Sequence, residues 1–374
     1  MIDIEAIPSP CYVLEEEKLE ANLVKLRKVK EEAGVEILLA FKGFAMWSTF
    51  SLVKAYLTGA TASSLNEAKL CYDEMNTKAH SYQVAYKPEE FDQVAALSST
   101  ITFNSLNQYR EFRPKIPVGV SVGLRVNPEW SDVATDLYNP ASPTSRLGIT
   151  AKHLRNGLPE GVEGLHFHVL CESDSRALEK VLQEFEVKFG HLLHEALWVN
   201  MGGGHLITRE GYDQDHLVDL LKRFKEKHGV NVILEPGSAI AWQTGFLRAK
   251  ILDIVENGGV NTIIPDISFT CHMPDCLEMP YQPAIKGATV TQGQNQGYSI
   301  GGISCLAGDF VGTYKFDLEP SVGDPIIFED MIHYTMVKTN VFNGVAHPSI
   351  GIIKNGKFFL ERKFDYQDYK GRLS

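Results

Sequence analysis

Residues 36–42 read Glu36-Ile37-Leu38-Leu39-Ala40-Phe41-Lys42. The apolar run is far short of the ~20 residues that span a bilayer, and its length and flanks are those of a buried strand. Similar short β-type runs recur at 60–63, 79–83, 100–104, 119–127, 161–169, 196–202 and 231–237. Between them, apolar residues return at steps of three and four across 66–75, 88–97, 174–189 and 213–228, the period of an amphipathic helix. Alternation sustained through eight strand runs predicts a closed parallel (β/α)8 barrel. An open doubly wound sheet would carry Gly-x-Gly-x-x-Gly after its first strand, and none stands there.

Beyond residue 245 the texture changes. Runs at 246–255, 262–270, 284–290 and 324–328 are broken by Gly and Pro, which predicts a second, all-β domain.

Composition narrows the function. The 374 residues carry 36 Lys+Arg against 47 Asp+Glu, a formal charge of −11, which excludes a nucleic-acid binder that neutralises phosphates. Such a surface suits a cationic ligand, or serves only solubility. The N-terminal Asp3 and Glu5 stand where an export signal is basic, and no apolar core follows them. No stretch is long enough to cross a membrane. The six cysteines are scattered rather than arranged as a framework, so a reducing, cytoplasmic setting is expected. Cys271-His272 and Cys276 are metal-ligand types, but their spacing fits no zinc pattern, and no metal is expected.

In a parallel barrel the chemistry sits at the C-terminal ends of the strands. There the sequence places Lys42, Arg125 with Asn127, His166 with His168, Gly202-Gly203-Gly204, and Glu235-Pro236-Gly237. Each has a plain alternative: a surface lysine, a core histidine, an ordinary glycine loop, an ion-paired glutamate. Taken together, an amine, a flat imidazole, a glycine loop able to cradle phosphate and a carboxylate are the four contacts that pyridoxal 5'-phosphate requires.

These residues resemble the alanine-racemase-like group of pyridoxal-phosphate decarboxylases, which includes the ornithine, diaminopimelate and carboxynorspermidine enzymes. The likeness runs from Pro10-Cys11-Tyr12-Val13-Leu14 to the end of the chain. It includes Ala40-Phe41-Lys42, Phe167-His168-Val169, Gly202-Gly203-Gly204, Glu235-Pro236-Gly237, Cys305-x-x-Gly308-Asp309 and Tyr334-Thr335. The stretches 42–47 (Lys-Gly-Phe-Ala-Met-Trp) and 271–281 are similar to the carboxynorspermidine branch in particular. Leu306 and Ser238 depart from the better-known relatives, which have an acid and an arginine there, and so speak against a second amino-acid head group.

The resemblance implies a barrel over 17–245, with 1–16 and 246–374 forming the β domain. It implies Lys42 as the residue that bonds to the cofactor aldehyde, with His168 against the ring. Glu235 would face the pyridine nitrogen, and Gly202, Gly203, Gly204, Gly237 and Tyr334 would hold the phosphate. By side-chain chemistry Ser173 is preferred to Cys171 as a further phosphate contact. The resemblance further implies a homodimer in which Cys305 and Asp309 reach the cofactor held by the other subunit's Lys42, with Cys305 returning a proton to Cα. The expected substrate is carboxynorspermidine or carboxyspermidine. Ser238, Asp275, Glu278 and Asp309 would receive its cationic tail, although Asp275 and Glu278 could equally lie on a solvated loop. A diaminopimelate or ornithine decarboxylase would share the cofactor residues, and a non-catalytic carrier would need neither Cys305 nor Asp309. A racemase is disfavoured because no tyrosine is evident in the proton-donor motif.

Overall fold

The computed structural model describes residues 3–133, 139–293 and 296–374. Residues 1–2, which open the segment expected in the β domain, lie outside this set. The described chain divides into two compact units, Asn22–Ile240 and Met1–Ala21 with Ala241–Ser374. No described helix is long and apolar enough to cross a membrane.

Strands are numbered in chain order from β1 (Cys11–Glu15). Within Asn22–Ile240, β2 (Glu36–Ala40), β3 (Gly59–Ala62), β4 (Ala79–Gln83) and β5 (Ser98–Phe103) are followed by β6 (Ser121–Arg125), β7 (Gly164–His166), β8 (Trp198–Asn200) and β9 (Asn231–Leu234). These eight form a closed parallel barrel. It shuts where Glu36 and Ile37 of β2 pair with Ile233 and Leu234 of β9. Each expected run contains or overlaps one of these strands, so the alternation correctly predicted the barrel.

The intervening helices carry the predicted apolar faces. Helix Ser175–Phe189 buries Leu178, Val181, Leu182, Phe185 and Phe189. It starts where the Asp174 carboxylate accepts from the Ala177 N–H at 2.9 Å, satisfying a donor that the first turn cannot pair internally. Helix Gln214–His228 is capped likewise by Asp213 and ends on Gly229 at φ 68°.

Inside the barrel, Leu38, Trp198 and Ile233 form an apolar layer. The indole of Trp198 occupies the space where Gly123 and Gly164 have no side chain, and its Nε1–H donates to Ser121 Oγ at 2.9 Å. Two residues further along, the register aligns Arg125 with His166 and His166 with Asn200. Because side chains alternate along a strand, this layer shares the inward parity of Gly123, Gly164 and Trp198, and it is polar.

The other unit is a mixed sheet. It contains β10 (Gly245–Asn257), β11 (Val260–Pro265), β12 (Ala288–Thr291) and β13 (Tyr298–Gly301), followed by β14 (Phe310–Phe316), β15 (Pro325–Glu329), β16 (Ser349–Lys354) and β17 (Lys357–Arg362). The order is β12-β14-β13-β11-β10-β1-β16-β17, with β15 also paired to β10. β1 is flanked by β10 antiparallel and β16 parallel. β10 changes partners along its length, and the register shifts between Ile251 and Asp253, as a bulge permits. Short helices at Phe269–His272 and Pro274–Glu278 fall between strands of the sheet, and a third, Tyr366–Gly371, follows its last strand. The run expected at 262–270 therefore stops at Pro265. There Ser268 Oγ accepts from the Cys271 N–H at 3.2 Å and caps the first of these helices.

Candidate active site

β2 delivers Lys42 to the mouth of the barrel. Phe41 is buried and stacks on Phe50 with ring centroids 5.1 Å apart, which anchors the turn from below. The N–H of Ala40 donates to Pro236 O at 3.1 Å. A Cβ on Gly43 would lie 2.6 Å from the Gly237 Cα. Glycine at 43 therefore lets the 42–43 turn pack directly on 237–238, which brings Ser238 beside it.

The Lys42 amine stands 3.2 Å from His168 Nε2. His168 Nδ1 accepts from the Gly203 N–H at 2.8 Å. A backbone N–H can only donate, so this contact assigns the imidazole proton to Nε2. Nε2 in turn donates to the amine, whose lone pair must then be free. The electrostatics agree: burial, then the Arg125 charge, lower the Lys42 amine below its usual range, against the raising influence of Glu235 and Glu67. Although the Lys42 side chain is reachable by solvent, it is surrounded by the protein of the barrel mouth. His168 is held well below the ordinary imidazole range by burial, then by Lys42 and Arg125. It is a neutral, flat ring.

Glu235 leaves the end of β9 nearly buried. Its Oε1 accepts from Asn200 Nδ2 at 2.6 Å, and its Oε2 lies 3.7 Å from His166 Nε2. Burial raises its pKa, while the Asn200 hydrogen bond, Lys42 and Arg125 lower it. Arg125 is 5% exposed, donates through Nη2 to His168 O at 3.0 Å, and lies over the Tyr82 ring at 4.8 Å. His166 is neutral for the same reason as His168.

The glycine loop is shaped by close approaches. A Cβ on Gly203 would overlap Glu235 O, and one on Gly204 would overlap Leu170 O. The N–H of Gly202 donates to Asn200 Oδ1 at 2.9 Å, so the Gly202 and Gly203 donors are committed within the protein. Ser173 is buried, and its N–H donates to Gly204 O at 2.8 Å. Its Oγ closes a local turn, donating to Cys171 O at 3.1 Å.

The remaining predicted residues lie in the sheet unit. Asp275 is 8% exposed. Its Oδ2 accepts from Tyr281 Oη at 2.6 Å and Thr335 Oγ1 at 2.8 Å, whereas Oδ1 is buried without a partner among the described residues. Glu278 is on the surface, paired with Lys338. Asp309 is buried, and its two oxygens accept from the N–H groups of Thr270 and Ser304 at 2.9 and 3.2 Å. Cys305 is exposed on the same turn, where its N–H donates to Asn343 Oδ1 at 2.9 Å. Tyr334 is half-buried at φ 41°, immediately before Thr335.

The barrel thus gathers Lys42, His168, Ser173, Gly202, Gly203, Gly204, Glu235, Gly237 and Ser238 at one end. Asp275 and Tyr334 are linked through Thr335, Cys305 and Asp309 share a turn, and Glu278 stands apart on an ion pair. Sequence reading missed Asn200 and Tyr82, and assigned no role to Arg125 and His166. Their signal was a polar residue at inward parity on a barrel strand.

Residues 11–332 match the family described as pyridoxal-dependent decarboxylase, C-terminal sheet domain. The chain belongs to the pyridoxal-dependent decarboxylases. It is 49% identical to the carboxyaminopropylagmatine decarboxylase of Synechocystis, over 99% of this chain and 96% of the relative. It is 43% identical to a carboxynorspermidine/carboxyspermidine decarboxylase of Campylobacter jejuni, over 98% and 99%. The crystal structure of carboxynorspermidine decarboxylase complexed with norspermidine from C. jejuni aligns with TM-score 0.91 at 42% identity, covering 98% of this decarboxylase and 100% of that chain. The cofactor of the family is pyridoxal phosphate, and the residues present fit it. An amine with lowered pKa, a neutral imidazole and a carboxylate whose Oε2 accepts no hydrogen bond among the described residues surround a loop too tight for any side chain at 203 or 204.

Proposed function

We propose that this decarboxylase acts on a carboxylated polyamine, carboxynorspermidine or carboxyspermidine, forming norspermidine or spermidine in polyamine biosynthesis. Near full-length likeness to decarboxylases named for such substrates carries this reading. The buried Oδ1 of Asp275, without a partner among the described residues, supports it, since an uncompensated carboxylate oxygen suits a cationic tail. A guanidine-tailed carboxylated polyamine is the second reading, favoured by the 49% identity to the Synechocystis enzyme.

When bound, the pyridinium ring supplies an electron sink for the pair left at Cα as carbon dioxide departs. The chain's own residues do the rest. Lys42 offers its amine for covalent attachment, its pKa lowered by burial and by Arg125. Glu235 Oε2 would face the ring nitrogen and keep it protonated. His168, whose tautomer is fixed by Gly203, would lie against one ring face. Ser173, Gly202, Gly203, Gly204, Gly237 and Tyr334 hold or shape the phosphate end. Asp275 would receive a nitrogen of the tail, with Ser238 and Asp309 as further polar contacts, whereas Glu278 is occupied by its surface ion pair with Lys338. Cys305 returns a proton to Cα from the second subunit of a homodimer. Its exposed neighbours Ile303, Leu306 and Phe310, with Phe342 beside Asn343, are apolar and suit such an interface.

The test is carbon dioxide release compared as kcat/KM for carboxynorspermidine, carboxyspermidine, carboxyaminopropylagmatine, diaminopimelate and ornithine. Preference for the first two supports the proposal. Preference for the guanidine-tailed compound selects the second reading, and preference for either amino acid would overturn the assignment of the tail contacts. Binding of cofactor with no release from any of them would indicate a carrier.

A further inference from the structure

Three hydrogen bonds close a ring between β8 and β9. The Gly202 N–H donates to Asn200 Oδ1 at 2.9 Å, Asn200 Nδ2 donates to Glu235 Oε1 at 2.6 Å, and the Glu235 N–H donates to Gly202 O at 2.7 Å. The order of donors is forced. A backbone N–H cannot accept, so Gly202 fixes which end of the Asn200 amide is oxygen. The amide then presents an N–H to Glu235, and Oε1 must accept it. Oε1 is thereby engaged as an acceptor, which favours the ionised carboxylate, and Oε2 is the oxygen left for the cofactor ring. From the same loop, Gly203 fixes His168, and His168 contacts Lys42.

We propose that Asn200 is a positioning residue that ties the ring-facing carboxylate of Glu235 to the phosphate-side glycine loop, holding Oε1 as an acceptor so that both ends of the cofactor are met by one rigid unit. Asn200 is 3% exposed, and its amide is engaged at both ends within the protein, by the Gly202 N–H and by Glu235 Oε1. The titratable groups facing Glu235 are Lys42 after β2, Tyr82 on β4, Arg125 on β6 and His166 on β7. Only the Asn200 amide donates a hydrogen bond to its carboxylate among the described residues.

The inference rests on the cofactor placement given above, and two substitutions divide its halves. Asn200→Asp can still accept from Gly202 but cannot donate to Glu235 as a carboxylate, whereas Asn200→Ala does neither. Apo-protein of each full-length variant is first checked for an unchanged thermal midpoint and far-ultraviolet spectrum, then titrated with pyridoxal phosphate. The visible absorption of the bound cofactor is followed against pH, and inorganic phosphate is used as competitor. Asn200→Asp is expected to move the pH midpoint of the absorption by about one unit, as a like charge beside a carboxylate does, and to keep phosphate affinity within about twofold. Asn200→Ala is expected to move the midpoint and to weaken cofactor and phosphate binding together, by roughly tenfold, the loss of one good hydrogen bond to a charged group. Wild-type pH profiles and affinities in both variants would overturn the proposal. Glu235→Gln is the control for the placement. If it changes the spectrum while the Asn200 variants do not, the inference alone falls. If it leaves the spectrum unchanged, Glu235 does not face the ring nitrogen and both fall.

Discussion

The Lys42 amine has a titration behaviour that can be measured directly. A lysine free in water is protonated at neutral pH and attacks an aldehyde slowly, whereas the surrounding protein of the barrel mouth and the Arg125 charge lower this one from 10.5. The rate of covalent cofactor capture by the apo-protein, measured by stopped-flow absorption, should therefore rise to a plateau at a pH below 10.5. The sign of the stability effect follows from proton binding. Between the lowered value and 10.5 the unfolded chain holds a proton that the folded chain has released, so the apo-protein gains stability as pH rises through that window. Lys42→Met should remove this slope from the pH dependence of the thermal midpoint. An identical slope in wild type and Lys42→Met would show that the amine is not perturbed. The position of Lys42 after an apolar strand was visible in sequence. Its charge state was not, because Arg125 and His168 reach it from strands far away along the chain.

At the level of elements, the barrel was legible because each strand's apolar run and each helix's three- and four-residue period are local properties. The polar layer above Trp198 was not, since Asn200 and His166 become neighbours only through the β7–β8 register. The 262–270 run misled because Ile267 and Phe269 read as strand residues until the Ser268 cap is seen to turn the chain into a helix. Two glycines test the layered reading. A Cβ on Gly164 would overlap the Trp198 indole in the apolar layer, and one on Gly203 would overlap the Glu235 carbonyl at the mouth. Gly164→Ala should destabilise the protein by about 1–3 kcal/mol, the usual cost of overpacking, in urea unfolding, with cofactor affinity retained once folded. Gly203→Ala should weaken cofactor binding at least tenfold, since the loop, Glu235 and His168 must shift together. Equal cofactor affinity in the two variants would refute the division between a supporting layer and a binding layer.

For the whole molecule, the question is whether one chain completes a site. The barrel unit presents the proposed cofactor contacts other than Tyr334, while Cys305 stands exposed on a turn of the sheet unit, beside apolar side chains that solvent does not favour. No periodicity could reveal this, because an interface between copies leaves no mark on local spacing; it entered the sequence reading only through resemblance. The arrangement predicts complementation between two crippled chains. Lys42→Ala lacks the amine, and Cys305→Ala retains it but loses the proton return, so it should release some carbon dioxide while yielding little amine product. If each site of a C2 dimer takes Lys42 from one subunit and Cys305 from the other, a mixed dimer contains one site with both residues and one with neither. Equal amounts of the two variants, allowed to exchange subunits at random, should recover about one quarter of the wild-type yield of polyamine per subunit, because about half the dimers are mixed and each has one of two sites intact. Sites built within a single chain would give no recovery, since every site would keep its own lesion. Subunit exchange must be followed independently, with one variant carrying a mass label. Exchange without recovered product would then place Cys305 outside the partner's site.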